Sequence, residues 1–298
     1  MGPYRIGVDL GGTKIEIAVL DHAGAMPIRH RIATPAGYDA KLAAIAALVA
    51  EAEAKIGAEA SVGIGIPGVI SPATGLVKNA NSITLNGHAF DRDISTLLGR
   101  EVRVANDANC FALSEAVDGA ARGAHVVFGV IIGTGCGGGV VIGGKVLDGH
   151  NRVAGEWGHT PLPWPGPDEV PGPLCWCGLH GCLETMVSGP GLAADCDGPG
   201  ARDATGLTAR AAAGDTRAAA ALARHTDRMA RGLAVVINIL DPDVIVLGGG
   251  LSNMAHLTRD VPERIRRYVF TDVSDTPIVR NVHGDASGVR GAAWLWAP

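Results

Sequence analysis

Two stretches decide the fold. One is Tyr4-Arg5-Ile6-Gly7-Val8-Asp9-Leu10-Gly11-Gly12-Thr13-Lys14; the other is Val126-Val127-Phe128-Gly129-Val130-Ile131-Ile132-Gly133-Thr134-Gly135-Cys136-Gly137-Gly138-Gly139. Each is an aliphatic, β-branched run that stops at a glycine turn and resumes as a second apolar run, Lys14 to Leu20 in one case and Val140 to Ile142 in the other. That pattern predicts a strand, a turn and a strand. The second stretch is a pseudo-repeat of the first. Around each, apolar strands alternate with helical periodicity. After the first come a strand at Ile28 to Ala33, a helix at Ala40 to Lys55 and a strand at Ser61 to Ile66, then a helix near Asp91 to Leu98, a strand at Val102 to Ala105 and a helix from about Ala108 to Asp118. After the second come helical segments from Ala209 to about Leu240, strands at Val244 to Leu247 and near Ile278 to Val282, and a last helix around Val289 to Trp296. Strands alternating with helices twice over predict two α/β domains with a ligand cleft between them. The expected division is 1–118 and 119–287, with a proline-, glycine- and cysteine-rich excursion at about 157–184.

Composition narrows the class. In 298 residues, 47% hydrophobic content is ample for a core in each domain. The net charge of -5 and the 18% charged fraction provide no basic stripe, so nucleic acid is not the expected partner. No apolar run approaches the roughly 20 residues a bilayer span needs, and the start of the chain lacks a signal-peptide pattern. A cytoplasmic protein with no membrane association is expected. The 43 glycines cluster in short motifs rather than spreading as linkers, which points to backbone work at ligand sites.

Asp9, Gly11, Gly12, Thr13 and Lys14 sit in the first turn. Its glycines can let backbone N–H groups face an anion while Thr13 and Lys14 add donors, as holding the phosphates of ATP requires; a plain hairpin is the alternative. An acidic group at such a mouth repels phosphate unless a cation intervenes, so Asp9 suggests Mg²⁺. Gly133, Thr134, Gly135 and Gly137 offer the same chemistry from the second half. Gly248, Gly249 and Gly250 follow an apolar strand, where open α/β sheets bind ligands, and suit the adenosine portion or merely a helix entry. Asp107, in Asn106-Asp107-Ala108-Asn109, stands at a strand end and a helix start, fit either to cap the helix or to accept a proton from a substrate hydroxyl. His159, Cys175, Cys177 and Cys182 supply one imidazole and three thiolates, a tetrahedral set for structural Zn²⁺, with buried free cysteines as the alternative. Glu156 and Glu184 flank this set and could accept hydrogen bonds from sugar hydroxyls.

Taken together, these residues resemble the ROK family of bacterial sugar kinases and repressors, whose fold is similar to that of hexokinase and actin. The resemblance runs from Tyr4 to the end and is carried above all by Cys175-x-Cys177-Gly178-x-x-Gly181-Cys182-x-Glu184 with the upstream Glu156-x-Gly158-His159. It implies a two-domain actin-like ATPase fold in which the terminal helix 288–298 completes the first domain, ATP and Mg²⁺ as cofactors, zinc on His159, Cys175, Cys177 and Cys182, and usually a homodimer. It implies Asp107 as catalytic base, and Asn81, Asn106, Glu156, His159 and Glu184 as sugar contacts, His159 using its second ring nitrogen. Within the family, Lys78-Asn79-Ala80-Asn81-Ser82, Leu85-Asn86-Gly87 and Glu156-Trp157-Gly158-His159-Thr160-Pro161-Leu162-Pro163-Trp164 resemble the bacterial fructokinases with mannokinase activity, Trp157 standing where N-acetylglucosamine kinases usually carry Phe, so fructose is the expected substrate, with N-acetylglucosamine or glucose as the alternative. The family's repressors carry a helix-turn-helix domain ahead of this region. With the first hairpin beginning at residue 4, that reading is not expected.

Overall fold

The computed structural model describes residues 2–80 and 82–296. It divides into two compact units, one running up to Gly123 with Gly139–Ala154 and the stretch from Val282 onward, the other comprising Ala124–Gly138 and Gly155–Asn281. A division by sequence order places Gly139–Ala154 in the second domain; here those residues belong to the first unit.

The first unit is built on a sheet of β1 (Tyr4–Leu10), β2 (Lys14–Asp21), β3 (Ile28–Ala33), β4 (Ser61–Ile66) and, after the short pair β5 (Val69–Ile70) and β6 (Val77–Lys78), β7 (Val102–Asn106). The order is β3-β2-β1-β4-β7. The first three strands are antiparallel, while β1, β4 and β7 are parallel, pairing Asp9 with Gly65 and Ile66 with Asn106. The three parallel strands therefore deliver Asp9 and Asn106 at carboxyl ends. Helix α1 (Tyr38–Ile56) buries Ile45, Leu48, Val49 and Ala52, and α2 (Phe90–Leu98) buries Phe90 and Ile94, in one core with Ile6, Val8, Ile64 and Ile66. Its counterpart helices are α3 (Asp107–Val117) and, late in the chain, α10 (Ser287–Trp294). The approach of α10 is close enough to demand glycine: a β-carbon on Gly7 would lie 1.9 Å from the Val289 carbonyl oxygen, and one on Gly291 1.6 Å from that of Cys110. Buried Glu115 of α3 secures the helix entry by accepting from the Ser287 hydroxyl (2.8 Å) and the Val282 amide (3.1 Å).

The second sheet repeats the order, β10-β9-β8-β11-β12, from β8 (Val126–Ile132), β9 (Cys136–Ile142), β10 (Lys145–Val146), β11 (Val244–Gly248) and β12 (Ile278–Arg280). Again the three last-named neighbours β8, β11 and β12 are parallel. Between β10 and β11 lie α4 (Glu184–Val187), α5 (Gly189–Asp197), α6 (Leu207–Ala212) and α7 (Thr216–Leu240); α8 (His256–Arg259) and α9 (Val261–Ile265) precede β12. The helical segments expected from Ala209 to about Leu240 are α6 and α7, parted by Gly214, whose φ is 94°, and by Asp215, whose carboxylate caps α7 by accepting from the Arg217 and Ala218 amides. Among the described residues, no helix is long and apolar enough to cross a membrane.

Candidate functional site

In the first unit, the β1–β2 turn is tied down by its own backbone. The Gly11 amide donates to the Lys14 carbonyl (2.9 Å), and Thr34 donates both its hydroxyl to the Gly11 carbonyl (2.8 Å) and its amide to that of Thr13 (3.0 Å). A β-carbon on Gly12 would meet nothing within 4 Å, so the turn is open on that side. Burial pushes the Asp9 carboxyl up to about 6, against Lys14, which pulls it down, and with Glu16, which adds to the rise. A buried carboxyl with no full partner suits a cation. At the end of β7 the N-cap position of α3 is held by Asn106, whose side-chain oxygen accepts from the Ala108 amide (2.8 Å), and Asp107 is the exposed first residue of the helix, its Oδ1 sharing that amide (2.8 Å). Asn106 also donates to the Gly68 carbonyl (3.2 Å). The Cys110 thiol is raised well above its usual range by burial and by the carboxylates of Asp9, Asp107 and Asp148, which places these three in one neighbourhood. Asn81 lies outside the described residues.

In the second unit, the β8–β9 turn closes through the Gly133 amide to the Gly135 carbonyl (2.9 Å) and takes a further amide from Gly189 (2.8 Å). Gly249 holds a φ of 80° with its α-carbon packed so that a β-carbon would be 2.3 Å from the Ile132 carbonyl oxygen, so close packing as well as any ligand accounts for this glycine. Beside the turn opens a cavity of about 480 Å³, lined from the expected set by Gly133, Thr134 and Gly250. Its other walls, including Pro190, Arg202, Thr205 and Met254, were not legible as site residues; Arg202 and Thr205 belong to a glycine-rich stretch without periodicity. Gly248 lies at the buried end of β11, paired with Ile131.

The excursion brings the four proposed metal donors together. The ligand atoms of His159, Cys175, Cys177 and Cys182 all lie within 4.8 Å of one another, the only such group among the described residues. Cys175 Sγ is 3.6 Å from His159 Nδ1, and Cys177 Sγ is 3.6 Å from Cys182 Sγ. Tetrahedral Zn²⁺ with its usual bond lengths needs donor separations of roughly 3.5–3.8 Å, so the set fits. Nδ1 faces the thiols, which leaves Nε2 of His159 for a second partner. Burial raises the Glu156 carboxyl, with His159 opposing and Glu184 adding to the rise, so these three side chains share one field. Glu184 is held at both oxygens: Oε2 accepts from the Cys136 amide (3.0 Å) and Oε1 from the Trp176 indole N–H (2.8 Å). Trp157 is a core residue. It is 6% exposed, packs edge-on to Phe128 (5.8 Å) and donates its indole N–H to the Gly137 carbonyl (3.0 Å). Its identity therefore reflects packing beneath the turn, which undercuts its use as a marker of fructose.

The chain matches the ROK family over residues 5–298. It is 40% identical to an N-acetyl-D-glucosamine kinase of Yersinia enterocolitica over 297 residues, 97% of this chain and 98% of that protein. Among solved structures it is similar to a ROK hexokinase from Thermus thermophilus (33% identity, TM-score 0.86, covering 98% of this chain and 97% of that one). A ROK glucokinase from Streptomyces griseus, solved with glucose and AMPPNP, matches at 30% identity and a TM-score of 0.78 over 98% of both chains. Hexokinases of this kind have the actin-like ATPase fold, and the twice-repeated strand order of this chain is that fold. With its whole length matched and its Cys-x-Cys-Gly segment folded around four clustered metal donors, the chain belongs to the ROK family.

Proposed function

We propose that the protein is an ATP-dependent sugar kinase acting on N-acetyl-D-glucosamine. The observation that carries this reading is the 40% identity, end to end, with N-acetyl-D-glucosamine kinases. It replaces the fructose expectation, one of whose markers, Trp157, is buried beneath the turn. In this reading the two glycine turns bind the ATP phosphates through backbone N–H groups, and the 480 Å³ cavity takes the adenosine portion. Bound Mg²⁺ would neutralise charge on the transferring phosphoryl group, with Asp9 as its protein anchor. Asn106, Glu156, His159 and Glu184 would orient the sugar, and Zn²⁺ on His159, Cys175, Cys177 and Cys182 would hold the excursion in shape. Asp107 would accept the proton of the attacking hydroxyl; with the helix capped by Asn106, its carboxylate is not required for that duty.

The test is a coupled assay of ADP release with N-acetyl-D-glucosamine, glucose, mannose and fructose. The expected kcat/KM for the amino sugar exceeds that for fructose by at least about tenfold, the scale on which a few polar contacts discriminate. Asp107→Asn should lower kcat by about 10²–10⁴-fold with little change in KM. Fructose as the best substrate would overturn the substrate, and an Asp107→Asn enzyme within about threefold of the parent would overturn the base.

A further inference from the structure

Trp176 has no role in the reading above, yet it occupies the single position between two metal donors, Cys175 and Cys177. Its ring stands edge-on to His159, with centroids 4.9 Å apart at 89°, and its N–H reaches Glu184 Oε1 at 2.8 Å. The other oxygen of that carboxylate accepts from the backbone N–H of Cys136, the first residue of β9 where the β8–β9 turn ends, at 3.0 Å. One carboxylate thus bridges the cysteine-rich loop and the turn. The turn is shaped around it: a β-carbon on Gly135 would lie 2.7 Å from Glu184 Oε2. Gly135 lies outside the left-handed region, so it is the carboxylate, and not the backbone conformation, that demands glycine there.

We propose that Trp176 and Glu184 form a strut that sets the phosphate-binding turn, so that the cysteine-rich loop governs nucleotide affinity even when no sugar is bound. Trp176 is a positioning residue in this scheme. It anchors the carboxylate, and the carboxylate fixes the Cys136 amide and with it the N–H groups aimed at phosphate. A carboxylate accepting two N–H groups is a charge-assisted bridge, and losing either donor frees the side chain to leave the turn. The inference rests on the reading of this turn as a nucleotide site.

Titration calorimetry on the sugar-free, zinc-containing protein with a non-hydrolysable ATP analogue and Mg²⁺ tests it. Trp176→Phe keeps the ring against His159 but removes the donor. Gly135→Ala leaves every residue of the loop in place and displaces the carboxylate. Each should weaken analogue binding by about fivefold or more, the scale of one such hydrogen bond, with zinc content unchanged by elemental analysis. If both variants bind the analogue within about twofold of the parent while the sugar KM rises, Glu184 serves the sugar alone and the strut is wrong. If Trp176→Phe loses zinc, Gly135→Ala decides by the same criterion. A parent protein that phosphorylates sugar but shows no loss in either variant sinks the strut only, whereas a parent that binds no nucleotide sinks the kinase reading and the strut with it.

Discussion

At Asp9 the fold holds a carboxyl in a place that costs stability. Its pKa is raised by burial to about 6, so the contribution is fully present below the unfolded value of 3.8 and is lost as pH rises through 6. At pH 8 the ionised group costs on the order of 1–3 kcal/mol. Asp9→Asn should therefore raise the melting temperature of the ligand-free protein by about 2–6 °C at pH 8 and barely at pH 4, while kinase activity falls at least tenfold, as expected where a destabilised group serves function. A lower melting temperature at pH 8, or unimpaired turnover, would refute this account of Asp9. The sequence suggested the cation role because an acid beside a phosphate turn needs one, but the burial behind the shift depends on packing no local pattern reveals. Asn106 and Asp107 show the same limit. Either can cap a helix, and only the backbone at the end of β7 assigns the cap to Asn106.

Elements built from one short segment were the most legible. All four candidate metal donors fall between residues 159 and 182, so their spacing pointed to a cluster. What fastens the excursion to the rest of its unit was not legible, because the partners lie about 60 residues away: Glu169 accepts from Arg228 Nε at 2.8 Å and from Arg231 Nη1 and Nη2 at 2.8 Å. All three side chains are less than 10% exposed. Despite burial, which works the other way, the two guanidiniums hold the Glu169 carboxyl down to about 2. The stabilisation is present above the unfolded value of 4.5 and is lost as pH falls toward 2. Glu169→Ala removes the carboxylate shared by two buried guanidiniums, leaving Arg228 with Asp195 (3.1 Å) and Arg231 with Asp227 (3.0 Å), and should cost about 1–3 kcal/mol, seen as a lower melting temperature and faster zinc release to a chelator. An unchanged melting temperature would show that Asp195 and Asp227 suffice for the two arginines. The boundary between α6 and α7 falls at Gly214-Asp215, a stop followed by a cap, inside alanine-rich periodicity on both sides that gives no sharper bound.

Across the whole molecule, the repeated strand-turn-strand predicted two α/β units, and the two sheets carry one strand order. The place of the terminal helix came from the family resemblance, since a helix of eight residues has too little periodicity of its own to declare its neighbour. In the structure α10 lies on glycines of β1 and β4: a β-carbon on Gly63 would sit 1.9 Å from the Ala292 carbonyl oxygen. It is held by Asp118, which accepts from Arg290, from His283 Nε2 (2.9 Å) and from the Trp294 indole (3.1 Å). Deleting the chain from Ser287 onward should abolish the cooperative melting of the first unit and expose β1 and β4 to limited proteolysis; a protease-resistant fragment starting at the native N-terminus would contradict this. The consequence reaches into biosynthesis. A sheet begun by residue 4 and largely laid down by residue 66 waits for a helix that ends at residue 294. At the ribosome's pace of about 5–20 residues per second, that leaves an uncovered apolar face for about 10–45 s. Chaperone demand should therefore fall on the earliest-made part of the chain, and a stalled or truncated message would release a protein whose defect lies at the opposite end from the missing codons.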